Sequence, residues 1–250
     1  MDSIENSNSL RLVKNKRSKY YKTYINDIYI GFLYPKDFEN VGISKRLRDY
    51  KKKLKSQNAD PSESESLQYL NGLVNDKSDQ TAQNPEEMIL DDISDVIIED
   101  IEEVIFLRAF DKSLDYLSRM EMSASGIRSK LRLKDYSDSI IDRVIDELYA
   151  RNYLNESRFV ESYVRSYIRS KSRSLIEREL DNSGIEVSDY IGVIDSVYED
   201  EDITEDDVIE ILLNKKFTKE QLTDIKIKRR AMSYLARHGF SYEAINNYLT

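Results

Sequence analysis

The sequence predicts a mainly α protein, with three tandem three-helix modules in an elongated, curved array and a small β-hairpin region at the N-terminus. Three observations carry that prediction. An apolar pattern recurs three times in the C-terminal half, Pro is absent from Glu86 to Thr250, and aromatic and β-branched residues crowd the stretch from Tyr20 to Tyr34.

Residues 10–34 read as strands, because Tyr20, Tyr24, Ile28, Tyr29, Ile30, Phe32 and Leu33 suit a pleated, half-buried surface and Asn26-Asp27 divides them like a hairpin turn. Pro35 stops the second strand, and short helices are expected at Lys36–Asn40 or at Ser44–Lys55, the latter with Leu47, Tyr50 and Leu54 at helical spacing. From about Ser56 to Asn84 the composition is that of an acidic, polar linker, with at most one weak helical turn at Leu67, Leu70 and Leu73. Beyond Glu86 the apolar spacing becomes 3–4 residues: Ile97, Ile101, Val104, Ile105, Ala109, Leu114 and Leu117 predict a helix, broken near Phe106–Asp111.

The repeat follows. Ile127, Leu131, Tyr136, Ile141 and Ile145 share their offsets with Ile176, Leu180, Ile185, Tyr190 and Ile194, and again with Ala231, Leu235, Phe240, Ile245 and Leu249. The residue before the third member of each set is Asp135, Gly184 or Gly239, which suits the left-handed position that closes a helix. Each unit therefore reads as helix, tight turn, helix, with a third helix from the preceding Phe106–Met120, Glu156–Lys171 or Thr204–Phe217. The resulting division is a β-rich region at 1–45, a basic helix and acidic flexible linker at 46–95, and modules at 96–155, 156–200 and 201–250.

Composition narrows the chemistry. A 40% hydrophobic content suffices for a core, and the lack of a long apolar run or an apolar stretch behind Met1 leads us to expect a cytoplasmic protein without a membrane partner. With no Cys and one His, thiolate nucleophiles, Cys-based metal sites and a Ser-His-Asp arrangement have no residues to use. No nucleophile–base pair, phosphate-cradling Gly loop or dinucleotide motif is present, so neither catalysis nor a cofactor or metal is expected. The net charge of -9 is strongly segregated: residues 1–55 hold 14 Lys and Arg against 6 Asp and Glu, whereas residues 56–104 hold 1 against 14. Such blocks suit two kinds of partner surface, or serve only solubility.

Several segments resemble one family. They are Leu117-Ser118-Arg119-Met120-Glu121-Met122-Ser123, Leu131-Arg132-Leu133-Lys134-Asp135-Tyr136-Ser137, Tyr153-Leu154-Asn155-Glu156-Ser157-Arg158-Phe159-Val160, Ile176-Glu177-Arg178-Glu179-Leu180 and Tyr234-Leu235-Ala236-Arg237-His238-Gly239-Phe240. Across about 105–250 the chain resembles the RecX regulatory proteins, which modulate the RecA recombinase. Where that family usually carries Gly, this chain has Asp135. The resemblance implies a non-catalytic monomer that lodges on the RecA filament on single-stranded DNA and modulates, in the first instance inhibits, its ATPase, strand exchange and SOS activity, with at most weak direct DNA contact.

Candidate contact residues lie on four helices. Phe159, Val160, Tyr163, Val164, Tyr167 and Ile168 form one stripe of the helix at 156–171, and Arg158, Arg165 and Arg169 fall within about 40° of each other on its opposite face. Lys226, Arg230 and Arg237 align similarly with Arg229 beside them; Arg128 and Arg132 flank Ile127 and Leu131, and Arg173 opens the next helix. Guanidinium groups there suit phosphate or carboxylate equally. The acidic run Glu199-Asp200-Glu201-Asp202 reads as a solvated helix boundary, with Thr204 as the next cap, or as a contact for basic residues on a partner. Tyr20, Tyr21, Tyr24 and Tyr29 beside Lys14, Lys16, Arg17, Lys19 and Lys22 could stack on single-stranded bases or simply pack the hairpin. Two rival functions stay open at this point: a nucleic-acid-binding protein independent of RecA, and a helical-repeat scaffold for another partner.

Overall fold

A computed structural model describes residues 8–15, 17–57 and 86–249. Among them are four strands, β1 (Asn8–Lys14), β2 (Tyr21–Ile25), β3 (Ile28–Leu33) and β4 (Glu86–Ile93), and eleven α-helices. The helices are α1 (Asp37–Asn40), α2 (Ser44–Gln57), α3 (Asp95–Leu117), α4 (Ala124–Arg132), α5 (Asp138–Ala150), α6 (Glu156–Tyr167), α7 (Arg173–Asn182), α8 (Ile191–Glu201), α9 (Glu205–Asn214), α10 (Ile225–Arg237) and α11 (Tyr242–Leu249). The chain divides into two compact units, Met1–Lys112 with Lys130–Val144 and Ser113–Ser129 with Ile145–Thr250.

The first unit is built on an antiparallel sheet in the order β3-β2-β1-β4. Asn26 and Asp27 both have positive φ, 48° and 64°, the geometry whose twist matches that of two antiparallel strands, so β2 and β3 form the expected hairpin. Its core joins Leu10, Leu12, Leu33 and Met88 from the strands to Val41, Ile43, Leu47, Ile101 and Ile105 from the helical segments. At Gly31 the backbone approaches α3 so closely that a Cβ would stand 2.8 Å from Ile105 Cγ2. Arg108, also on α3, donates to the Phe32 carbonyl at 2.8 Å and pairs with Asp37, whose carboxylate accepts the Tyr34 amide at 2.7 Å.

Three expectations are corrected here. The linker was expected to run to residue 95, yet Glu86–Ile93 is a strand that pairs antiparallel with β1, Leu12 opposite Met88. Its buried residues, Met88, Leu90 and Ile93, alternate until the left-handed Asp92, with φ 57°, shifts the register. The helix expected to break near Phe106–Asp111 runs unbroken through α3, because Ala109 and Phe110 continue its buried stripe. Both short helices offered as alternatives after Pro35 form, as α1 and α2. The proposed turn at Leu67, Leu70 and Leu73 lies outside the described residues.

The repeat is visible in the burial. Of its fifteen positions only Tyr190 and Leu249 are partly exposed, and the other thirteen are buried. Asp135, Gly184 and Gly239 all have positive φ, 63°, 80° and 91°, as the helix-closing role requires. Each turn is seated on something definite. In the first unit the Tyr20 hydroxyl donates to the Asp135 carboxylate at 3.0 Å, the Tyr29 hydroxyl donates to the Asp135 carbonyl, and Ser137 Oγ donates to the Ile30 carbonyl at 2.8 Å.

In the second unit Gly184 sits against Ser125, where a Cβ would meet the Ser125 Cβ at 3.2 Å. Gly239 sits against the start of α7: a Cβ there would lie 2.3 Å from Leu175 Cβ and 2.5 Å from Ser172 Oγ. The same junction has the Ser172 amide donating to the His238 carbonyl at 2.8 Å. His238 Nδ1 lies 2.6 Å from the Ser170 carbonyl, which can only accept, so this ring nitrogen carries the hydrogen. One core, including Val160, Val164, Ile168, Ile176, Leu180, Ile194, Val208, Ile209, Leu212, Ala231 and Leu235, runs through α6 to α11.

Candidate partner-binding surfaces

The apolar stripe of α6 turns inward as expected, with Phe159, Val160, Val164 and Ile168 buried, and the arginines lie on its other side. They are not left facing solvent alone. Asn155 caps α6 by accepting the Arg158 amide at 3.0 Å, and this fixes the first turn so that the Arg158 guanidinium folds back over the preceding loop. It pairs with Glu121 at 3.0 Å and donates to the carbonyls of Asn152 and Tyr153 at 3.2 and 3.1 Å. Arg158 thus holds the entry of α6 in place.

Two and three turns further on, Arg165 reaches Glu161, Asp200 and Glu201, and Arg169 reaches Glu201 at 3.2 Å. Hydrogen bonds that Arg165 donates to Asp200 and Glu161 raise its pKa above the ordinary value. The acidic run therefore meets basic residues of its own chain. A cavity of about 360 Å³ remains between Arg169, Glu201, Asp202, Asp207 and Glu210. Thr204 caps α9 as expected, in a reciprocal box with Asp207 whose hydrogen bonds from Thr204 hold that carboxyl below its ordinary pKa.

The other module arginines are similarly engaged. Arg132 pairs with Asp138 at 2.8 Å, and Arg173 bridges Glu177 and Asp195 at 2.7 Å each. Arg128 is also partnered. Arg173 further stands 5.5 Å over the ring of Tyr198, whose hydroxyl is buried without a hydrogen-bond partner among the described residues. Burial pushes the Tyr198 pKa up to about 12, against a lowering by Arg173. Because the folded value lies above the unfolded one, near 10, the stabilisation from its neutral form is complete below pH 10 and disappears as pH rises towards 12. Tyr198→Phe should therefore be neutral to stabilising, by about 1 kcal/mol in urea unfolding, and should lessen the alkaline loss of stability. A clear destabilisation would mean that the hydroxyl has a partner in solution.

The α10 face differs. Asp224 caps this helix through the Lys226 and Ile227 amides, and its buried stripe is Ala231 and Leu235. Lys226, Arg229, Arg230 and Arg237 are exposed, and none has an ion pair among the described residues. Nearby, Lys216 caps the Tyr234 ring at 4.5 Å. The cap lies seven residues before Ala231, whereas Ser123 and Ser172 cap α4 and α7 four residues before Ile127 and Ile176. The extra turn presents Ile225, 71% exposed, together with Lys226. The structure thus brings four of the ten predicted site residues together as an open cationic face.

The tyrosines of the sheet pack rather than present open rings. Tyr20 and Tyr29 bind Asp135, Tyr21 is buried with its hydroxyl 3.4 Å from Glu86, and Tyr24 lies beneath Arg11 at 4.2 Å. Sequence reasoning did not find Glu121, Asp195, Asp200 and Glu201 as partners, because each lies on a different element from the arginine it meets. Among the described residues, no helix is long and apolar enough to cross a membrane.

A model of the first three-helix domain of RecX matches residues 109–148, and one of its third three-helix domain matches residues 204–249. The regulatory protein RecX of Clostridium acetobutylicum is 30% identical over 166 residues, covering 64% of this chain and 74% of that protein. RecX of Bacillus subtilis is 32% identical over 161 residues, covering 63% of this chain and 59% of the relative. A crystal structure of regulatory protein RecX aligns over 95% of this chain and 99% of its own, with 19% identity and a TM-score of 0.46. The first- and third-domain matches coincide with the helices that carry the repeat, and together with the covered length of the clostridial relative they establish that this chain belongs to the RecX family of regulatory proteins.

Proposed function

We propose that this chain, as a monomer, binds the RecA filament on single-stranded DNA and slows its ATP turnover, with the α10 face as a principal contact. One observation carries the choice of face. Lys226, Arg229, Arg230 and Arg237 are exposed without ion pairs among the described residues, while the arginines of α6 already meet carboxylates of their own chain. An incoming carboxylate or phosphate gains a contact at α10 without first breaking one, whereas at α6 it must compete with an existing pair. Membership of a regulatory family supports the partner.

The test is ATP hydrolysis by the cognate RecA on single-stranded DNA, titrated with the protein. Wild-type protein should suppress hydrolysis. Lys226→Ala/Arg229→Ala/Arg230→Ala/Arg237→Ala should require about tenfold more protein for the same suppression, with unchanged helicity, since exposed cations contribute little to folding. Equal potency would remove α10 from the account, and no suppression by wild type would remove RecA.

A further inference from the structure

A second group of cations lies in the first unit, outside the segments matched by the RecX domain models. On α2 the apolar residues Leu47 and Tyr50 face the sheet side, and Arg46 and Lys51 turn to β4: Arg46 donates to the carbonyls of Asp91 and Asp92, and Lys51 pairs with Glu86 at 3.3 Å. At 100° per residue, Lys45, Arg48 and Lys52 lie within about 60° of one another, roughly opposite Leu47 and Tyr50. All three are exposed and have no ion pair among the described residues.

Topology adds two more. Glu86 stands opposite Lys14, the last residue of β1, and it also receives Lys51 and the Tyr21 hydroxyl. The β1–β2 connection, with exposed Arg17 and Lys19, therefore leaves the sheet at the same end as the C-terminal half of α2. Neither residue has an ion pair among the described residues. The carboxylate closest in sequence to the stripe is Asp49 on α2 itself, about 40° from Lys45.

We infer that Arg17, Lys19, Lys45, Arg48 and Lys52 form a second interaction surface, which takes the phosphate backbone of a nucleic-acid strand. Lys45 to Lys52 spans about 10 Å along the helix, on the order of three phosphates at 3.4 Å of axis per charge. Recognition of a protein needs a buried aromatic or aliphatic anchor, and α2 exposes no large apolar side chain among its described residues. Binding to a phosphate backbone needs none, because release of counterions drives it. This inference does not depend on the RecA reading.

The test uses the full chain without RecA and follows the anisotropy of a labelled oligonucleotide, single-stranded or as a duplex, across a salt series. Arg17→Ala/Lys19→Ala/Arg48→Ala/Lys52→Ala should weaken binding about tenfold or more at low salt, and flatten the salt slope by about 3 for the single strand and nearer 4 for the duplex. Acetylation footprinting of the wild-type protein, which requires no variant to fold, should show Lys19, Lys45 and Lys52 protected by the oligonucleotide. An unchanged slope, or protection confined to the α10 lysines, overturns the inference. So does retained oligonucleotide affinity in a variant that has lost binding to polyglutamate, which would assign the face to protein carboxylates.

Discussion

Gly239→Ala is expected to lower the stability of the second unit by about 3 kcal/mol, through two costs that add. A φ of 91° lies in the left-handed half of conformational space, where an L side chain costs about 1–2 kcal/mol. The new Cβ would also stand 2.3 Å from Leu175 Cβ and 2.5 Å from Ser172 Oγ, so the junction between α10 and α7 must open, at about 1–3 kcal/mol more. Gly42→Ala isolates the first cost, since φ is 71° there and nothing lies within 4 Å of the added Cβ; about 1 kcal/mol is expected. Urea unfolding of both variants gives the comparison. Equal losses would show that the turn at Gly239 is not packed as closely as described, and the seating of α10 on α7 would have to be abandoned.

Arg108→Ala should cost about as much in the first unit, for an electrostatic reason. The Asp37 side chain is 6% exposed, and its charge is met by Arg108 and by the Tyr34 amide. Removal of the guanidinium leaves a buried carboxylate with one donor and strips the Phe32 carbonyl of a hydrogen bond, together about 3 kcal/mol. The double variant Arg108→Ala/Asp37→Asn should be more stable than Arg108→Ala, because the unpaired charge has gone. The coupling free energy from the four proteins of this cycle measures the pair itself. Additive losses would mean that Asp37 is solvated or held by other groups, and that Arg108 acts only through packing over Phe32 and Tyr34, whose rings lie 5.4 and 5.0 Å from it.

The helical half was legible because its signal is periodic and local. A stride of four, five, five and four names one buried face, and a residue fit for positive φ marks each turn; Ile127, Ile176 and Ala231 are all fully buried in consequence. Strand β4 was not legible. Its sequence, Glu86-Glu87-Met88-Ile89-Leu90-Asp91-Asp92-Ile93, carries as many carboxylates as apolar residues, and its strand character comes from pairing with β1, more than seventy positions earlier.

The α6 arginines show the same limit. Their common face followed from helix geometry, but helix geometry cannot report that Asp200 and Glu201, about 35 positions on, fold back to meet Arg165. At α10 no such carboxylate returns among the described residues, so the stripe there still faces outward.

The seating of the three turns differs at the first of them. Gly184 and Gly239 each lean on the opening residues of a helix one module earlier, Ser125 for the former, Ser172 and Leu175 for the latter. Asp135 leans instead on Tyr20, Lys22 and Tyr29 of the first unit. The sheet thus acts as a surrogate neighbour, a cap over a turn that would otherwise stand uncovered. It also explains why this turn can dispense with glycine: a carboxylate that two hydroxyl- and ammonium-bearing strands can grasp gives the left-handed position a second use, and ties the identity of residue 135 to the presence of the cap.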